Sequence, residues 1–226
     1  MNKIPKFLFL PIVSTILFPI NAEENLVNWK GPVIGMTRLK APWYAPEFYV
    51  EKKMKDSIPE YSSINGLQTK LYSLEIDSSL FGGIYLWKNE KFARDWWNQS
   101  FFDRVNKKYG ANNTIELKQA IFINSNQNRK IEIEDHWIKI KRYSIPPEAF
   151  SKLNKHFENK VSDFQKKSGY TALWIAGCEN FEIEIITVWS EKAKMEEMDY
   201  SELIQGNWKE IGTILTKSPI QLNNKL

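Results

Sequence analysis

Two histidines, one cysteine and a set of regularly spaced aromatic residues are what this 226-residue sequence offers for chemistry. A histidine is the natural proton acceptor near neutral pH. His136 opens the strand-like run HWIKIKRYSI and is the one candidate catalytic base, although no acid partner can be placed beside it from sequence. His156 sits in a Lys/Asn-rich helical stretch and is expected to face solvent. Cys178 follows Gly177 at a hairpin turn, with no basic neighbour in sequence to activate its thiol. The acidic groups IEIED (131–135) and EEMD (196–199) lack metal-ligand spacing, so no metal site is expected. No phosphate loop, dinucleotide glycine pattern or nucleophile elbow is present, and no cofactor is expected.

The elements that would position these groups repeat along the chain. APEFYVEKKMKDSIPEYSSINGL (45–67) resembles PPEAFSKLNKHFENKVSDFQKKSGY (146–170), GLQTKLYS (66–73) aligns with GYTALWIA (169–176), and GIYLWKNEKFA (83–93) aligns with IITVWSEKAKM (185–195). The offset stays at 101 to 103 residues in the same order, which marks an internal duplication. Each copy reads as strand, helix, hairpin, helix, strand. In the first copy the strand is 33–41 and the helix is 47–63, with Pro59 expected to kink it and Gly66 to end it. The hairpin turns at 77–79, Asn89 caps a single helix over 90–108, and a strand over 114–123 closes the copy. In the second copy the strand is 133–145, the helix is 148–167, and the hairpin is 171–189. A Ser190-capped helix continues, broken near Gly206, toward residue 215, and KSPIQL is a short final strand.

This order is the ferredoxin-like layout, four antiparallel strands with two helices on one face. The other face of each sheet needs a cover, and two such sheets can supply it to each other. The expected fold class is therefore α+β: two tandem ferredoxin-like repeats whose antiparallel sheets form an intramolecular α+β barrel. The first repeat spans 23–123, the linker 124–133 and the second repeat 134–226.

Strand alternation then assigns faces. With Ile84, Leu86, Ile138, Ile140, Ile186 and Val188 turned to the helices, Tyr85, Trp87, Trp137, Lys139, Tyr143 and Trp189 turn into the barrel, joined by Arg38. Aromatics with a few cations make a pocket suited to a small aromatic or hydrophobic molecule. Aromatics also fill cores, so a barrel simply packed with tryptophan stays open as the alternative. Trp96, Trp97, Phe101 and Phe102 form a ridge at helical spacing, either packed on the sheet or left as a face for a second copy and hence a homodimer.

Residues 1–22 have the layout of a signal peptide: Lys3 and Lys6, an apolar run, then Ala22. Cleavage after Ala22 would send the protein to the periplasm or the medium, with no membrane anchor left behind. It removes two lysines and no acids, so the net charge falls from +4 to +2. With that balance and no cluster of basic residues, nucleic acid is not an expected partner. One cysteine excludes an internal disulfide.

The segments PEFYVEKKMKDSIPEYSSINGL, FGGIYLWKNEKFARDWW, SGYTALW and IEIITVWSEKAKM resemble the dimeric α+β barrel superfamily, in particular antibiotic-biosynthesis-monooxygenase-like proteins. The resemblance covers about 33–123 and 136–216. It implies one barrel from two repeats, here fused. It also implies activities that range from cofactor-free oxygenation of aromatic or quinol-type molecules to haem degradation. Trp87 and Trp189 match a tryptophan of the haem-degrading members, but the helical histidine of that pattern falls near Asn106, and the first strands carry no asparagine. Haem breakdown is therefore disfavoured. Three readings remain: an exported cofactor-independent oxygenase, a ligand-binding module without catalysis, and a structural or partner-binding protein with a filled barrel.

Overall fold

The apolar run VIGMTRLK becomes the first strand, β1 (Val33–Lys40), of a computed structural model that describes residues 31–42, 44–110, 114–125 and 131–224. The first repeat continues with α1 (Glu47–Ser62), β2 (Leu67–Glu75), β3 (Leu80–Trp87), α2 (Glu90–Trp96), α3 (Gln99–Tyr109) and β4 (Thr114–Ser125). The second contains β5 (Ile131–Glu132), β6 (His136–Ser144), α4 (Pro147–Phe150), α5 (Leu153–Phe164), β7 (Tyr170–Gly177), β8 (Glu182–Trp189) and α6 (Lys192–Glu197). It ends with a 3-10 turn (Tyr200–Glu202), β9 (Lys209–Ser218) and β10 (Gln221–Asn223). The leader and residues 126–130 of the expected linker lie outside the described residues.

Each repeat carries the ferredoxin-like strand order, β4-β1-β3-β2 and β9-β6-β8-β7. The repeats join edge to edge, β4 on β7 and β9 on β2, all antiparallel. With β3 also paired to β2, the ring closes. The ten strand segments behave as eight strands. β10 prolongs β9 along β2 with a one-residue shift around Pro219, whose ring carries no amide hydrogen for the ladder. In the same way β5 prolongs β6 beside the β9–β10 edge. The described ends of the expected linker are thus strand: β4 runs on to Ser125 and β5 takes Ile131–Glu132.

Eight strands leave a barrel just wide enough for side chains. Here Ile34, Met36, Leu71, Ile84, Leu86, Ile138, Ile140, Trp174, Ile186 and Val188 fill it, and Trp174 donates its indole N–H to Ser125 Oγ at 3.0 Å. The expected faces are inverted for β3, β6 and β8. Tyr85 and Trp87 pack under α2 and α3, while Tyr143 and Trp189 pack under α5 and α6. Trp137 belongs to that same outer cluster. The physical reason is shape: a narrow closed barrel suits branched aliphatic side chains, whereas the wider gap between sheet and helix takes rings. Arg38 does lie on the inner face, at one barrel mouth, where it pairs with Glu75 at 2.6 Å.

Other differences lie in the helices and near the C-terminal end. The expected 90–108 helix is two helices, because Asn98 accepts from the Phe101 amide and starts α3 after Trp97 leaves helical geometry. Asn98→Ala should cost about 1 kcal/mol, seen as a melting temperature about 2–4 °C lower. The 148–167 helix likewise divides into α4 and α5. Ser190 is no cap; its hydroxyl donates to the Gly169 carbonyl, and α6 ends at Glu197. The stretch expected as helix toward residue 215 is instead β9, entered after Gly206 at φ +44°. Pro59 stays within α1, which runs unbroken to Ser62. No helix among the described residues is long and apolar enough to cross a membrane.

Candidate functional site: a helix–sheet cleft of the first repeat

An open space lies outside the barrel, between α1, α3 and the outer face of β1-β3-β2. It is a cavity of about 220 Å³. An apolar cavity of about 150 Å³ already accepts benzene, so this one has room for an aromatic ring.

Lys70 is the chemically distinctive residue there. On β2, Leu71 turns into the barrel, so Lys70 and Tyr72 turn toward α1. Lys70 is only 3% exposed. Its Nζ lies 2.9 Å from the ring centre of Tyr61, 3.8 Å from that of Tyr72 and 5.0 Å from that of Tyr85. Among the described residues no carboxylate forms an ion pair with it, and Glu60 acts only from a distance. Burial pushes the Lys70 amine well below its ordinary range. The tyrosine faces favour an ammonium by about 2 kcal/mol when desolvated, which offsets only part of a full burial cost. The net direction is toward the neutral amine.

The ring of tyrosines is fixed by its own hydrogen bonds. Ser57 donates to the Met54 carbonyl at 2.8 Å, so its oxygen is left to accept from the Tyr72 hydroxyl at 3.0 Å. Thr37 Oγ1 lies 3.4 Å from the Tyr85 hydroxyl. Burial raises all three phenols, that of Tyr85 to about 12. They are neutral donors at physiological pH, and they surround the Lys70 amine, whose proton affinity burial lowers. Gly83 makes room for it: a Cβ there would stand 3.0 Å from the Tyr85 ring and 3.1 Å from Lys70 Cε. Gly83→Val is expected to crowd the amine and weaken binding of a single-ring ligand about tenfold, measurable by calorimetric titration. Lys53, Arg104 and Lys108 border the same cavity against one acid, Glu60, which pairs with Arg104 at 3.4 Å. The cleft therefore favours an anionic ligand.

Among the described residues the matching positions of the second repeat are packed with side chains. Strand register matches Lys70 opposite Tyr85 with Leu173 opposite Thr187, and Gly83 with Ile185. The space is filled by Tyr200, bonded to the Thr187 hydroxyl, together with Phe157, Met195 and Trp208. Lys139 and Lys141 lie 5.0 and 5.1 Å from the Tyr200 ring centre. Lys141 pairs with Glu210 at 2.6 Å.

Of the ligand-binding candidates read from sequence, Tyr85 lines the cleft, and Phe101 of the aromatic ridge borders it as well. Trp87 lies next to it in the same cluster, stacked at 6.1 Å between ring centres. Trp137, Lys139, Tyr143 and Trp189 sit on the filled second repeat, and Arg38 sits at the barrel mouth. His136 is buried at the start of β6. Its Nδ1 faces the Glu134 carbonyl at 3.0 Å and its Nε2 faces Glu132 at 3.3 Å. It thus has the acid partner that sequence could not place, but it is away from the cleft. His156 is half-buried rather than solvent-facing, with one ring nitrogen on the Leu203 carbonyl and the other on Gln205. Burial first, then Glu184, pushes the Cys178 thiol up to about 11, so it is not a reactive thiolate. Trp97 and Phe101 of the expected ridge are buried in their own chain. Among the described residues no cluster of His, Cys, Asp and Glu has metal-binding geometry.

The described residues form a two-repeat α+β barrel with a ring-sized cleft on the outside of the first repeat. The fold is that of monooxygenase-like proteins. A protein of Lactobacillus acidophilus described as a candidate monooxygenase superposes with a TM-score of 0.64 at 12% identity, over 85% of this chain and 96% of its own. Another so described, from Fusobacterium nucleatum, gives 0.64 at 11% identity, over 88% and 100%. An anthrone oxidase-like protein gives 0.55 at 10% identity, over 86% and 93%. At such identities the likeness establishes the fold, in line with the resemblance read from the sequence. No protein-family model matches the chain, and no curated protein sequence matches it.

Proposed function

We propose that this chain is an exported enzyme of monooxygenase-like fold that acts as an oxidase on a small single-ring quinol in the first-repeat cleft, without a resident cofactor. The observation that carries this reading is the buried, carboxylate-free Lys70 amine bordering a ring-sized cavity. Lys70 takes a hydroxyl proton from the quinol. The resulting anion, beside the new ammonium, passes one electron to dioxygen and then a second, with its remaining hydroxyl proton. The ring becomes a quinone, and dioxygen leaves as hydrogen peroxide with the two protons. The electrons come from the substrate, so the balance needs nothing else. The shared fold with an anthrone oxidase-like protein and monooxygenase-like proteins supports an aromatic substrate, and the cavity volume supports one ring. A carboxylate on that ring would meet Lys53, Arg104 and Lys108.

One chain supplies both repeats, so the cleft is complete without a second copy. The test is oxygen uptake with 2,5-dihydroxybenzoate, a carboxylated single-ring quinol. Uptake above the uncatalysed rate, with quinone and peroxide formed in equal amounts, is the expected result. Saturable binding without any uptake would instead favour the reading as a binding module. Export is checked by the N-terminal residue of the protein recovered from its host, expected to be Glu23.

A further inference from the structure

An amine held away from water, among tyrosine rings and with no carboxylate among the described residues paired to it, is placed to attack a carbonyl carbon as well as to take a proton. We propose that Lys70 is a nucleophile that captures a small aromatic aldehyde or ketone as an imine inside the first-repeat cleft. Three features of the geometry support it. The amine borders a cavity that holds one ring, so a carbonyl carbon has a place beside Nζ. No carboxylate among the described residues is paired with it to hold it as an ammonium, and its surroundings are tyrosine rings. That apolar burial is the environment in which lysines become Schiff-base formers. Gly83 leaves the strand beside Lys70 Cε without a side chain, so the stem is not wedged in place by its neighbour.

The step balances without any co-reactant. The nitrogen lone pair forms a bond to the carbonyl carbon, and the carbonyl oxygen takes up the two amine hydrogens and departs as water. The carbon–nitrogen double bond remains. Nothing is oxidised or reduced. Neutral phenol hydroxyls border the cavity and are the groups suited to protonate the departing oxygen and recover the proton. The second repeat has Leu173 at the matching register position, so capture is confined to one site per chain. This activity shares the neutral Lys70 with the proposed function but not the reaction with oxygen.

The probe is 4-carboxybenzaldehyde, one ring with an anionic substituent for Lys53, Arg104 and Lys108. The purified protein is mixed with limiting aldehyde at neutral pH, reduced with sodium borohydride and mapped peptide by peptide. The expected result is one adduct per chain at Lys70, at an occupancy about tenfold above any other lysine. In Lys70→Arg only the scattered surface label should remain. Label spread over the surface lysines of the wild-type protein, with Lys70 unmodified, would overturn the proposal, and that outcome does not depend on how the variant folds. Oxygen uptake is read on the same preparation. A Lys70 adduct in a protein that consumes no oxygen would support this inference and remove only the oxidase reading.

Discussion

Lys70→Met is expected to abolish oxygen uptake while leaving the protein folded and, at neutral pH, more stable than the wild type. The loss in rate should be about 100-fold or more, the usual contribution of a positioned base. Stability moves the other way because the native fold holds this lysine away from water with no acid beside it. Met fills a similar volume and has no charge to desolvate. The sign follows from linkage. The folded amine titrates below its unfolded value of 10.5, so between the two values the unfolded chain binds more protons. Wild-type stability therefore rises with pH across that window, from the lowered folded value up to the unfolded one. Lys70→Met lacks this contribution. The wild type should lag the variant most at the acid end of the window and catch up toward alkaline pH. Urea midpoints for both proteins from pH 6 upward would check this; a constant difference across that range would mean that Lys70 keeps an ordinary proton affinity.

The second large effect belongs to the barrel, not the cleft. Trp174 is fully buried on its inner face among Ile, Leu and Val side chains drawn from both repeats. Trp174→Ala should destabilise the fold by about 3–5 kcal/mol, since a closed barrel cannot collapse around the void. It would also strip Ser125 of its indole donor. Chemical denaturation measures the loss directly. A cost below about 1 kcal/mol would show that the interior is not the shared core of the two repeats.

Much of this architecture is legible in the sequence. The steady offset between GLQTKLYS and GYTALWIA, with matching Trp-ended strands after them, reveals the duplication, and the element order gives the ferredoxin-like repeats. Both hairpins, β1 and α1 follow from alternation, from Gly66 and from the turn at 77–79. The inward face does not follow, because alternation separates two faces without naming them. Tyr85 and Trp87 share one face of β3, but only the closed ring, too narrow for many rings, decides that this face meets the helices. β9 is hidden for another reason. KEIGTILTKS has exposed residues over its first half, so the apolar alternation that marks a strand is diluted there.

The cleft was within reach of sequence reasoning. Aligning the two repeats sets Lys70 over Leu173, a cation at a position where the other copy keeps an apolar side chain. It also sets Gly83 over Ile185. Each mismatch marks where one copy keeps a space that the other fills. What sequence could not supply is Tyr61, which comes from α1 and meets Lys70 only through the packing of helix on sheet. His136 drew attention as a lone base near neutral pH, yet its ring is held at the barrel edge by Glu132 and the Glu134 carbonyl.

The central claim is that the first repeat holds a neutral amine at Lys70, and an NMR titration of the protein labelled at the lysine side chains tests it most directly. The account predicts one resonance that titrates well below the common group near 10.5, absent in Lys70→Met and perturbed when a single-ring carboxylate is added. If every lysine instead titrates within that common group, Lys70 is an ordinary ammonium, and neither the quinol chemistry nor the imine can be built on it.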